Sequence, residues 1–238
     1  MNIKTFLLRK VRLSYYLVGF ILIYGILSFI LPKIELTGAA LTLFSVNSFL
    51  YGFYISPIIK GQNDRISQLH KAIIGELNKL KEVHQFGRRT EPEYQKLINA
   101  QISAYAKTAS VTHPDAGGEE FEEIITSLVE YKGDSKDPHK EMLKSIFAAQ
   151  QYRSEIISLS KARVFKNEWI VMLILFAVTI SFILVIQLPE IPFINIIPAI
   201  LCAGLSMLVV ILAKMSTLTH KKARSIWRPL KDFGEKGL

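Results

Sequence analysis

The order of apolar and polar positions divides this chain into two regimes. Four runs, Leu13–Leu31, Leu36–Ile59, Trp169–Leu188 and Ile191–Ala213, contain no Asp, Glu, Lys, Arg or His. They are 19, 24, 20 and 23 residues long. An α-helix rises about 1.5 Å per residue, so each run covers the roughly 30 Å hydrocarbon core of a bilayer or nearly so. Between the second and third runs the pattern turns amphipathic. Ile66, Leu69, Ile73, Leu77 and Leu80 recur at helical spacing, and Ile66, Ile73 and Leu80 repeat every seven residues, as in a short coiled-coil-like seam. Span two is therefore expected to continue as one long helix to about His84, ending at Phe86-Gly87-Arg88-Arg89. Thr90 with Glu93 forms a capping-box pattern around Pro92, opening a second helix with the apolar face Tyr94, Leu97, Ile98, Ile102 and Tyr105. Thr112–Gly118 reads as a loop, and a third helix is expected to bury Phe121, Ile124, Ile125, Leu128 and Val129. After the polar turn Gly133–Pro138, a last helix from about His139 is expected to bury Met142, Ile146, Phe147 and Ile156 and to feed span three.

The fold class that follows is an all-α membrane protein: two transmembrane helical hairpins flanking a helical cytoplasmic domain. Its expected parts are a basic N-terminus (1–12), a first hairpin (13–59), the helical domain (60–168), a second hairpin (169–213) and a basic amphipathic tail (214–238). The first run follows the basic residues Lys4, Arg9, Lys10 and Arg12, as a secretory h-region would. It is longer than such a region, and Pro32-Lys33-Ile34-Glu35 follows where a small-residue cleavage site would be needed, so it reads as an uncleaved anchor.

The apolar fraction of 50% decides little, because soluble domains share it. Charge decides more. Of the 29 Lys and Arg, the N-terminal segment carries 4, residues 60–168 carry 17 and the tail from Lys214 carries 7; Lys33 lies in the first hairpin turn. Basic residues gather on the cytoplasmic flanks of membrane spans, which places both termini and the middle domain in the cytoplasm and the two hairpin turns outside. The same bias accounts for the net charge of +9 without a nucleic-acid partner. The one cysteine, Cys202, lies in the fourth run and reads as a small packing residue.

Chemistry is sparse. No span carries a charged residue of the kind that couples transport to protons or sodium. None of His70, His84, His113, His139 and His220 pairs with another His or a Cys at metal spacing. Glu119, Glu120, Glu122 and Glu123 suit the positive end of a helix dipole better than a catalytic pair. No metal, cofactor or enzymatic constellation is expected. His113-Pro114-Asp115, followed by Gly117-Gly118 and Phe121-Glu122-Glu123-Ile124, resembles the loop and third helix of J-domain co-chaperones; the alternative is a helix-connecting loop.

Span two carries the most specific pattern. At about 100° per residue, Gly38, Thr42, Ser45, Ser48, Gly52 and Ser56 share a third of the helix circumference. Asn47, Tyr51 and Tyr54 lie opposite. Small stripes mark close helix packing; the functional reading is that this face, or the face of Asn47 and Tyr51, lines a water-filled path in an oligomer. Lys60 and Arg65 would stand at its cytoplasmic mouth. In the tail, Lys221, Lys222, Arg224, Arg228 and Lys231 alternate with Ile226, Trp227 and Leu230, which predicts a segment lying on the anionic inner leaflet.

Leu43–Leu80, with Tyr51-Gly52-Phe53 leading into an isoleucine- and glutamate-bearing helix, resembles the bestrophin-like family of bacterial membrane proteins. So do Arg153 and Arg163 in the approach helix, Trp169 at span three and the basic tail. Bestrophins are oligomeric anion channels whose second span lines the pore. The resemblance implies a homo-oligomer with span two at the axis, so the leading expectation is a channel-like assembly in the bacterial inner membrane; Lys60 and Arg65 at its mouth would favour anions. The chain has no clear acidic calcium clasp, so calcium gating is not implied. The rival expectation is a membrane-anchored interaction or effector protein whose cytoplasmic helices bind a protein partner, with chaperone recruitment through His113-Pro114-Asp115 as a minor version.

Overall fold

The structure, a computed structural model, describes residues 11–35, 37–111, 117–133, 135–187, 196–219 and 225–235. Its helices are α1 (Leu13–Ile30), α2 (Gly38–Gly87), α3 (Pro92–Val111), α4 (Gly118–Val129), α5 (Lys136–Lys161), α6 (Lys166–Val185), α7 (Ile196–Ser216) and α8 (Arg228–Glu235). Among the described residues there is no strand, only a single parallel bridge between Ile34 and Ile186. Four of the helices, α1, α2, α6 and α7, are long and apolar enough to cross a membrane. The chain divides into two compact units, residues 1–63 with 163–220 and residues 64–162 with 221–238.

The first unit holds the apolar helices. α1 stops where Leu31 turns extended (φ −72°, ψ 138°), as the residue before a proline must. The turn that follows is stitched to the end of α6. Ile34 N–H donates to Val185 O (2.8 Å) and Gln187 N–H to Ile34 O (3.1 Å). Lys33 Nζ donates to Leu184 O (2.7 Å) and Ser28 Oγ (3.1 Å). α1 packs closely along α7, where Tyr24 Oη and Ser206 Oγ share a hydrogen bond of 2.7 Å. At the far end of α7, Lys214 is buried, donates to Val11 O at 2.6 Å and lies over the Tyr16 ring. These polar groups thereby gain protein partners, which hydrocarbon cannot supply; the buried hydroxyls of Ser48 and Tyr51 have none among the described residues.

α2 runs 50 residues through Pro57 without a break. Its continuation past span two is as the periodicity predicts. Ile66, Leu69, Ile73, Leu77 and Leu80 are buried, so the seven-residue seam is spent on the second unit's own core and is not offered to another copy. Against it lie Ile98, Ile102 and Tyr105 of α3, Phe121, Ile124 and Leu128 of α4, and Met142, Ile146 and Ile156 of α5, all buried. Each such side chain contributes roughly 1.5–3 kcal/mol of burial.

Several local expectations are corrected. Thr90 Oγ1 donates back to Gly87 O (2.7 Å), closing the end of α2. α3 starts instead at Pro92, with Gln95 N–H on Glu91 O. Leu97, Val129 and Phe147, expected in the core, are exposed. Leu97 and Phe147 each adjoin a fully buried isoleucine, and about 100° of helix separates neighbours, so one of each pair must turn outward. α5 leads into span three across a short break. Ala162 and Phe165 are extended (ψ 112° and 149°), and α6 begins afresh at Lys166. Gly117, at φ +80°, has the left-handed backbone that favours glycine, and a Cβ there would stand 3.0 Å from the Tyr105 ring.

The tail folds back within the second unit. α8 packs on α3, with Ile226 and Leu230 buried. Ser103 Oγ donates to Gly234 O (3.3 Å), and Lys81 lies over the Phe233 ring. A Cβ on Gly234 would fall 2.9 Å from Lys107 N and 3.1 Å from the Ala106 carbonyl carbon. These backbone atoms cannot yield, so Gly234→Val should cost about 1–3 kcal/mol of α8 docking. Limited proteolysis is expected to cut the variant's tail faster than wild type while residues 64–162 keep their protection; equal cleavage would show that the tail is not held there.

Candidate functional site

α2 presents two chemically different faces within the first unit. The inner face carries Asn47 and Tyr51. Asn47 Nδ2 donates to Thr179 Oγ1 (2.8 Å) and to Leu175 O (3.2 Å), both on α6. Thr179 Oγ1 in turn donates to Leu175 O (2.8 Å). Tyr51 is buried with Ile55, Val164, Met172 and Leu212, its ring 6.0 Å from that of Phe176. Phe44 meets Phe182 at 5.7 Å. An unpaired amide in hydrocarbon costs on the order of 4 kcal/mol, and α6 removes that cost. Of the two readings for Asn47 and Tyr51, path or helix packing, these contacts within the subunit fit packing.

The outer face carries the small stripe. Ser45, Gly52 and Ser56 are exposed and Ser48 is half-buried. A Cβ built on Gly38 or Gly52 meets nothing within 4 Å, so this chain's own packing does not require glycine there. Ser48, Phe49, Gly52, Phe53, Ser56, Pro57 and Lys60 line a shallow groove of about 650 Å³. Phe49 and Phe53 are 69% and 71% exposed and stack on one another at 6.0 Å. At about 100° per residue both fall on the same third of the helix as Ser45 and Gly52, so the helical wheel could have found them. The Ser48 hydroxyl is buried at the groove with no hydrogen-bond partner among the described residues.

Lys60 and Arg65 part company. Lys60 is exposed at the end of the groove. Arg65 is buried in the second unit, donating from Nε to Leu159 O (2.7 Å) and from Nη2 to Ser160 O (3.2 Å). These are last-turn carbonyls of α5, which lack helical partners and favour a cation. Arg65 thus caps the end of α5, whereas Lys60 stands exposed.

Further along α2, Glu76 is 1% exposed. Tyr105 of α3 donates its hydroxyl to the Glu76 carboxylate and accepts from Arg153 Nη1 of α5 (2.6 Å). The Arg153 guanidinium lies over the rings of Tyr105 and Phe121, at 5.1 and 5.2 Å. Burial pushes the Glu76 carboxyl up to about 7, against the opposing pull of the Tyr105 hydrogen bond and the Arg153 charge. Burial likewise raises the Tyr105 phenol, which stays neutral. Nothing in the one-dimensional pattern pointed to this cluster, because its members are 29 and 48 residues apart.

In the tail, Trp227 is half-buried, and Arg228 is exposed and paired with Asp232 at 3.7 Å. The apolar positions Ile226 and Leu230 face protein rather than lipid. Lys221, Lys222 and Arg224, and likewise His113-Pro114-Asp115, lie outside the described residues. Among the described residues no group of three His, Cys, Asp or Glu side chains could hold a metal ion.

No curated protein and no solved structure matches the chain. A family model does: the Bestrophin-like domain matches residues 15–219, from the start of α1 to just past the end of α7. That match takes in all four apolar helices and the intervening helical unit, and on it this chain belongs to the bestrophin-like family.

Proposed function

We propose that this protein assembles into a channel-like homo-oligomer in the bacterial inner membrane, with α2 near the axis and anions as the conducted species. The observation that carries the reading is the outward face of α2. In one subunit it leaves Ser45, Gly52 and Ser56 exposed beside a stacked Phe49–Phe53 pair. Lipid satisfies the phenylalanines but not the hydroxyls of the exposed Ser45 and Ser56. A ring of copies sharing this face supplies close backbone approach at the small residues and a polar, water-accessible lining. The exposed phenylalanines then form the narrow, apolar stretch of the path. No acidic or basic side chain lies on α2 between Gly38 and Ile59, so selectivity rests on hydroxyls, width and the Lys60 charge at one end. Family membership supports the same assembly.

The charge distribution supports an orientation with both termini and the second unit in the cytoplasm. Alkaline phosphatase fused after Lys33 is expected to be active, and fusions after Gly87 or Gly133 inactive. Activity at Gly133 would reverse the orientation.

Two measurements test the path. In a Cys202→Ser background, single cysteines at Ser45, Ser48, Gly52 and Ser56 should react with a membrane-impermeant thiol reagent, whereas those at Asn47, Tyr51 and Ile55 should stay protected. Uniform protection along the span would remove the path, and a monomer in native-like lipid would favour a membrane-anchored effector that binds a protein partner. In reconstituted protein, chloride should pass better than potassium, and Lys60→Glu should move the reversal potential toward cations. Arg65→Gln, by contrast, is expected to cost about 1–3 kcal/mol of stability with selectivity unchanged.

A further inference from the structure

Glu76 is a buried carboxyl on a helix that also carries the groove, and its surroundings are unusual for an acid. Among the described residues it is the one buried acidic side chain. Its facing groups are Tyr105 from α3 and Arg153 from α5. Tyr152, also on α5, lies against Gly75. α4 adds the Phe121 ring beside Arg153, and α8 meets α3 at Ser103 and Ala106. Tyr105 stands between the two charges, donating to one and accepting from the other. The cluster thus has two forms. With a proton on Glu76 it carries the net charge of Arg153, eased by two ring faces. With the proton lost to solvent, the carboxylate balances that charge through the phenol.

We propose that Glu76 is a proton-binding site, read through Tyr105 and Arg153, by which acidity sets how tightly α2, α3 and α5 are tied together. Because α2 is one helix from Gly38 to Gly87, the same event bears on the groove-bearing part, a consequence that rests on the channel reading; proton binding itself does not. The sign follows from burial. The folded carboxyl, raised to about 7, holds a proton that the unfolded chain releases near the ordinary carboxylate value. Its contribution to stability is full below that value and is lost as pH rises through about 7.

The test uses full-length protein in lipid nanodiscs. Infrared difference spectra should show a protonated-carboxyl band that disappears with a midpoint near 7 and is absent in Glu76→Gln, which mimics the protonated form. Tyr105→Phe removes one hydrogen bond to the carboxylate and should raise that midpoint by about one pH unit. Amide protection factors in α2, α3 and α5, corrected for the intrinsic pH dependence of exchange, should change across the same pH range in wild type and stay level in Glu76→Gln. A band that persists in Glu76→Gln, or no titrating carboxyl between pH 5 and 9, would overturn the proton site. If ions are conducted, the flux should depend on pH in wild type and not in Glu76→Gln. A flat flux beside a titrating carboxyl would overturn the regulatory half, whereas no flux at any pH would sink the channel reading and leave the spectrum to decide the site.

Discussion

An amide inside hydrocarbon must find a partner, and in this protein that requirement sets the rotation of the central helix. Asn47 reaches Thr179 and the Leu175 carbonyl on α6. Because Tyr51 and Ile55 follow Asn47 at four-residue spacing on one helix, turning Asn47 inward also turns them inward. Everything about 180° away is turned outward. The outward set includes serines and a glycine with Phe49 and Phe53, beside exposed Leu43, Val46 and Leu50. The candidate path is thus a by-product of where one polar side chain is satisfied. Rotating the helix to hide the small face would strand the amide, and water is not there to rescue it.

Two lysines of the first unit are satisfied in the same way. Lys33 and Lys214 flank apolar runs, and each ends on a backbone carbonyl of another segment. These contacts, with the Ile34–Ile186 bridge, use polar atoms at helix ends to join segments that apolar side chains alone join only loosely in lipid, where hydrophobic driving force between helices is absent.

The second unit has an apolar core of its own. Leu69, Ile73, Leu80 and their partners are buried there, and a buried charge among them needs a reason. Arg65 has a structural one, because it closes the carbonyls at the end of α5. Glu76 and Arg153 do not cap a helix or line a surface. A carboxyl held near neutrality between three helices costs stability when ionised, and a proton-responsive role gives that cost a use.

The four apolar runs, the long reach of α2 and the helical character of the middle segment were legible in the sequence, because they depend on length and period alone. Hydrocarbon thickness and a 3.6-residue repeat are properties of solvent and backbone, and one chain read in order displays both. The small stripe was legible too, as a stripe. Which side of α2 faced the protein was not, since that depended on Thr179, 132 residues away. Likewise Arg65 looked like a mouth charge until the end of α5 was seen beside it, and Thr90 looked like a cap for α3 until its hydroxyl was found on Gly87. The break between α5 and α6 and the docking of α8 at Gly234 belong to the same class. The sequence by itself determined which segments are apolar helices and which faces they could offer. Tertiary structure alone decided which face each one used, because a polar group's partner is chosen by distance in space and leaves no periodic trace along the chain.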